Sequence, residues 1–134
     1  VAAGAGVALL VENTGQFHLD YVAEPLQELL DGGLAGLAWD TGHDGAAGLA
    51  DKPFILKNLR HLRHLHLHDY AGGRCHLPLF TGSLGVEEAL ELAEGAGAAV
   101  IVEVKTAGAL RESVEKLRQR FPGRFAGRDP ASRQ

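Results

Sequence analysis

The sequence predicts an α/β fold, a parallel sheet covered by helices. Three observations predict it. Short apolar runs alternate with amphipathic segments four times, at a spacing of about thirty residues. Several runs are apolar at consecutive positions, which suits parallel strands covered on both faces. Each run also ends in a charged or ligating residue: Glu12, Asp40, His66 with Asp69, and Glu103. In a parallel sheet all such ends lie along one edge, where sites form.

The first strand is Val7–Val11, ending at Glu12-Asn13-Thr14-Gly15. Gly4 and Gly6 precede it, where a dinucleotide-binding turn would have to follow, so that motif is excluded. A helix is predicted over Tyr21–Leu30, with Val22, Leu26, Leu29 and Leu30 at helical spacing, Asp20 as its cap and Gly32-Gly33 as its stop. The second strand, Leu34–Trp39, stops at Asp40-Thr41-Gly42-His43. Asp51–Leu59 reads as a helix with Pro53 in its first turn.

The third strand is the most informative. Arg63-His64-Leu65-His66-Leu67-His68-Asp69-Tyr70 alternates strictly, so Leu65 and Leu67 share one face and His64, His66 and His68 the other. A wetted face needs polar residues but not imidazoles. Imidazoles beside a carboxylate at a strand end are suited to a divalent metal, and a half-exposed polar strand is the bland alternative.

Ala71–Gly85 is glycine-rich and reads as a long loop. Val86–Ala93 reads as a helix with Glu87, Glu88, Glu91 and Glu94 on its wet side. The fourth strand, Ala98–Val102, ends at Glu103. The last helix, Ala109–Phe121, is expected to turn Leu110, Val114, Leu117 and Phe121 inward and to stop at Pro122-Gly123. One domain over residues 1–126 and a disordered tail over 127–134 complete the expectation.

Composition narrows the partners. The 134 residues are 46% hydrophobic and 22% charged, with a net charge of −4. That balance is globular and a poor match to a nucleic-acid backbone. The locally basic stretch from Arg111 to Arg133 reads as a solvated helix face and tail. A single cysteine, Cys75, fits a reducing compartment, and a cytoplasmic protein is expected. No apolar run reaches membrane-spanning length, and Val1–Val11 reads as a strand and not as a leader. The chain starts at Val1 and has no Met, so upstream sequence is expected.

Five motifs in this order resemble the C-terminal half of the xylose isomerase-like TIM barrels. They are Val11-Glu12-Asn13-Thr14, Trp39-Asp40-Thr41-Gly42-His43, His64-Leu65-His66-Leu67-His68-Asp69, His76-Leu77-Pro78-Leu79 and Val102-Glu103-Val104. That superfamily holds sugar-phosphate isomerases and epimerases and metal-dependent apurinic-site endonucleases. The resemblance implies four successive β-α units of a (β/α)8 barrel, a fold of about 250 residues when complete. It implies one divalent cation, Mn, Mg, Co or Zn, held by Glu12, Asp40, His66 and Glu103. The choice of His66 follows the family ligand's place three residues before the closing acid, Asp69. Glu12 and Glu103 would be the acid/base pair, working through an enediolate. His43 and His76 match positions that bind substrate or a second metal. His64, His68 and Asp69 would support the ligands. Arg74 stands where the endonuclease branch has an aspartate, and Phe80 where a glycine is usual, which argues against a multi-zinc site. The expected function is therefore a sugar or sugar-phosphate isomerase or epimerase. An apurinic-site phosphodiesterase and a non-catalytic half-barrel are the alternatives. Open sheet edges predict self-association or pairing with a missing N-terminal half.

Overall fold

A computed structural model describes residues 3–124; the proposed tail over 127–134 lies outside them. Four strands, β1 (Leu10–Glu12), β2 (Gly36–Asp40), β3 (Leu62–Leu67) and β6 (Ala99–Val102), pair in parallel in the order β1-β2-β3-β6. Between β3 and β6 lies an antiparallel pair, β4 (Asp69–Ala71) and β5 (Arg74–Leu77). The helices are α1 (Asp20–Asp31), α2 (Thr41–Ala46), α3 (Lys52–Lys57), α4 (Val86–Ala96) and α5 (Ala107–Arg120). The result is mixed α/β, as predicted, with a sheet that does not close on itself among the described residues.

The period-2 pattern decides which face is dry. Leu37, Trp39, Leu65 and Leu67 are buried in one cluster with Leu26 and Leu30 of α1 and Val86, Ala89, Leu90 and Ala93 of α4. Register places Ala38 beside His64, Asp40 beside His66, and His66 beside Ile101 on the opposite face. That face is open at Ile101, which is 41% exposed. Covering of both faces was expected; helices cover the face of Leu37 and Leu65.

Several boundaries differ from the expectation. β1 begins at Leu10, because its partner β2 begins at Gly36; Val7 and Leu9 stay exposed. Leu19, and not Asp20, takes the N-cap position of α1, and no side chain caps it. Leu29 and Leu110 point outward, while Leu26, Leu30 and Leu117 carry the burial. The helix read over Asp51–Leu59 is α3 followed by a 3-10 turn at Leu59–His61. The segment read as a loop from Ala71 holds β5, because Gly72 and Gly73 both adopt positive φ and fold the chain back as a two-residue hairpin turn. The short helix α2 was not anticipated. Asp40 starts it by accepting the His43 N–H at 2.7 Å.

Candidate metal centre

Strand ends bring Glu12, Asp40 and His66 into one group, which Glu103 meets through His66. Backbone pairing runs past the last residues of β1 and β6: Asn13 N–H donates to Ala38 O and Glu103 N–H to Leu67 O. Glu12, Asp40, His66 and Glu103 thus follow one another along a single edge.

The geometry there is close. His66 Nδ1 lies 3.4 Å from Glu12 Oε2 and 3.5 Å from Glu103 Oε1. One donor atom each from Glu12, Asp40 and His66 fall within 4.8 Å of one another. A cation held at about 2.1 Å separates its donors by about 3.0–3.5 Å in an octahedral or tetrahedral shell, so these side chains fit such an ion after small adjustments. The donor set is hard to borderline, which suits Mg²⁺, Mn²⁺, Co²⁺ or Zn²⁺. His43 Nδ1 reaches the same carboxylates, at 3.4 Å from Glu12 Oε1 and 3.8 Å from Asp40 Oδ1.

Asp40 is the buried member, with a side chain 1% exposed. Asn13 fixes its backbone from both sides: Asp40 N–H donates to Asn13 Oδ1 at 2.6 Å, and Asn13 Nδ2 donates to Asp40 O at 3.1 Å. Its carboxylate accepts from the His43 N–H and faces His68 Nε2 at 3.0 Å from Oδ1 and 3.2 Å from Oδ2. Burial pushes the Asp40 pKa up, but the bond from His68, the His43 N–H and the two imidazole charges outweigh it. The pKa therefore lies below the ordinary aspartate value. Capping does not exhaust the carboxylate, which has about four lone-pair directions.

His68 was expected to support the ligands, and its contacts run to Asp40 on one side and to His76 on the other. It is fully buried. Its Nδ1 accepts the His76 N–H at 2.8 Å, which assigns the ring proton to Nε2, facing Asp40. Thr41 Oγ1 donates to His68 O at 2.7 Å and accepts from His68 N–H at 3.2 Å. Burial disfavours the charged ring, yet the bond to Asp40 and its charge raise the His68 pKa above the ordinary imidazole value.

His76 stacks on His68 with ring centroids 4.0 Å apart, and its Nδ1 is 3.3 Å from the Glu103 carbonyl. It sits at φ 58°, a left-handed conformation that non-glycine residues rarely hold. Donor atoms of His68, His76 and Glu103 also cluster within 4.8 Å. Both His68 nitrogens are already engaged, at Asp40 and at the His76 N–H, so His68 itself offers no lone pair to an ion in this second group.

The remaining predicted positions divide. Asp69 is buried and accepts four backbone N–H groups: Tyr70 at 2.9 Å, Thr81 at 3.1 Å, Gly82 at 2.8 Å and Leu84 at 3.1 Å. It ties residues 81–84 to the end of β3. His64 shares the open face, its ring 6.1 Å from that of His66, and does not join the ligand atoms.

Sequence reasoning passed over Asn13, Thr41 and Asp51 as individuals. Asp51 is buried and accepts Gly15 N–H and Phe17 N–H, both at 2.7 Å, pinning the loop that follows Glu12. Its neighbour Asp44 accepts Asp51 N–H at 3.1 Å, Lys52 N–H at 3.2 Å and Trp39 Nε1–H at 3.3 Å. Asn13 and Thr41 lay inside motifs that were noticed; Asp44 and Asp51 gave no pattern.

No family model, curated protein or solved structure matches the chain. What defines its class is therefore the fold and the edge: a parallel α/β sheet bearing a carboxylate–imidazole cluster at its strand ends. No helix among the described residues is long and apolar enough to cross a membrane.

Proposed function

We propose that this chain is a metal-dependent isomerase or epimerase acting on a sugar or sugar phosphate, built as the C-terminal half of a (β/α)8 barrel. The observation that carries the reading is the approach of Glu12 and Glu103 to one ring nitrogen, Nδ1 of His66, with a donor atom of the buried Asp40 within 4.8 Å of those of Glu12 and His66. Glu12, Asp40, His66 and Glu103 would hold the cation. When bound, that cation supplies Lewis acidity, polarising a carbonyl and stabilising an enediolate.

The chain's own groups divide the remaining work by exposure. Asp40 is sealed from solvent and bonded on both oxygens, so it holds position and does not exchange protons with substrate. Glu12 and Glu103 are 35% and 37% exposed and can reach a substrate carbon. One would remove a proton from the carbon next to the carbonyl and the other would return one to the neighbouring position or face. The half-exposed His43, already 3.4 Å from Glu12, would orient a substrate hydroxyl.

The open face and the edges β1 and β6, unpaired among the described residues, support a barrel completed by a second copy or by a further half-barrel. The same openness favours a second reading, a half-barrel that binds the ion without turning over substrate. Solvent exchange separates the two. Ketose and ketose-phosphate substrates in D₂O with Mn²⁺ or Zn²⁺ should acquire deuterium next to the carbonyl, observable by NMR, and Glu103→Gln should stop it. Ion binding with no exchange would select the half-barrel reading. Cleavage of abasic duplex DNA would move the protein to the phosphodiesterase class.

A further inference from the structure

The sequence placed His68 in a row of three histidines, and the structure separates it from the other two. His64 and His66 remain half-buried on the open face, whereas His68 is sealed under α2 and the β4–β5 hairpin. Its ring occupies the space above Gly42, where a Cβ would collide with the imidazole. Only glycine leaves room for that ring, so the motif Thr41-Gly42-His43 is shaped around His68 as much as around Asp40.

We propose that His68 is a positioning residue that fixes two parts of the site with one imidazole in one tautomer. At one end Nε2–H donates to the Asp40 carboxylate, 3.0 Å away. At the other end Nδ1 accepts the backbone N–H of His76, 2.8 Å away. The first bond aims a proposed cation ligand. The second holds the turn in which His76 keeps φ 58°, stacked on the same ring and beside the Glu103 carbonyl. A left-handed histidine stores backbone strain, which the bond to Nδ1 helps to offset. The two ends are exclusive in sense: a proton moved from Nε2 to Nδ1 would break both bonds. The two halves of the site are therefore coupled through the tautomer. The half of the proposal that concerns Asp40 rests on the metal reading above; the half that concerns His76 does not.

Two substitutions separate the ends. In His68→Gln the side-chain amide nitrogen falls near the place of Nε2 and keeps a donor for Asp40, while the acceptor for His76 is lost. In His68→Asn the amide oxygen falls near the place of Nδ1 and keeps the acceptor, while the donor is lost. Zn²⁺ and Mn²⁺ are titrated calorimetrically into the whole chain, and exchange of the His76 amide is followed by NMR. His68→Gln should bind the ion within about threefold of the parent and lose about tenfold in His76 amide protection. His68→Asn should keep that protection and bind the ion about tenfold more weakly or worse. The ¹⁵N shifts of the His68 ring in the parent at pH 8 should show a neutral ring protonated on Nε2. A proton on Nδ1, or equal losses of both properties in both variants, would overturn the proposal. If the parent binds neither ion, the metal reading fails separately, and the ring shifts with the amide exchange still decide the His76 half.

Discussion

Asp40 and Asp44 stand four residues apart on either side of one turn, both fully buried, and their ionisation is displaced in opposite directions. Burial works against the charge of both. Asp40 meets imidazoles, from His68 and His43, and its pKa is lowered. Asp44 meets backbone donors, the indole of Trp39 and a second carboxylate, that of Asp51, and its pKa is raised. Burial is the largest influence at both sites; at Asp40 the imidazole bonds and charges outweigh it, and at Asp44 the neutral donors do not, with the Asp51 charge adding to it. The Asp40 cluster turns toward the open strand edge, where the proposed ion would sit. The Asp44–Asp51 cluster turns toward the loops and holds them in place.

Removing Asp40 is the most severe test of this contrast. Asp40→Ala strands the His68 Nε2–H in a buried site and should cost about 3–5 kcal/mol in urea unfolding, with loss of Zn²⁺ and Mn²⁺ binding. Retained binding would remove Asp40 from the ligand set.

Asp51→Ala probes the other cluster. It leaves Gly15 N–H and Phe17 N–H without their acceptor and should cost about 2–3 kcal/mol, while ion stoichiometry, measured by elemental analysis, stays at the parent value. Loss of the ion as well would show that the loop after Glu12 serves both clusters and that the division is too sharp.

Gly42→Ala inserts a Cβ against the His68 ring. It should cost about 1–3 kcal/mol and weaken the ion, whereas Asp51→Ala should cost stability and leave the ion in place.

The smallest effect concerns pH. Asp44 has a raised folded pKa, so its contribution is present below the unfolded value and is lost as pH rises through the folded one. Asp40 has a lowered folded pKa, so its contribution is present above the unfolded value and is lost as pH falls through the folded one. Asp44→Asn keeps an acceptor for Asp51 and Lys52 but turns an amide N–H₂ toward the Trp39 Nε1–H, and should cost about 1 kcal/mol while flattening the decline above the ordinary aspartate pKa. Urea midpoints from pH 3 to 8 would check the sign. An unchanged slope would mean that Asp44 does not carry the raised pKa.

The Asp40 cluster was partly legible in the sequence and the Asp44 cluster was not, for a physical reason. Glu12, Asp40, His66 and Glu103 share a rule that can be read along the chain: each follows or ends an apolar run, and parallel strands align their ends. Asp51 makes its bonds to Gly15 and Phe17 across 36 and 34 residues, between two loops that no periodicity brings together. The strands and four helices announced themselves through spacing. Two elements did not. The helix α2 spans six residues and contains Gly42 and Gly45, which read as loop until the His68 ring explains the first of them. The hairpin of β4 and β5 turns on Gly72-Gly73, a cue present in the sequence and submerged in a glycine-rich stretch. His68 shows the limit of alternation: strand parity assigned it to the face of His64 and His66, but the chain leaves β3 after Leu67 and carries it into the interior.

The most direct measurement is calorimetric titration of Mn²⁺ and Zn²⁺ into the purified chain and into His66→Ala. The account predicts one ion bound per chain in the parent and none in the variant, because His66 Nδ1 lies within 3.5 Å of carboxylate oxygens of both Glu12 and Glu103. Unchanged binding after removal of that imidazole, or no binding in the parent at millimolar metal, would contradict it.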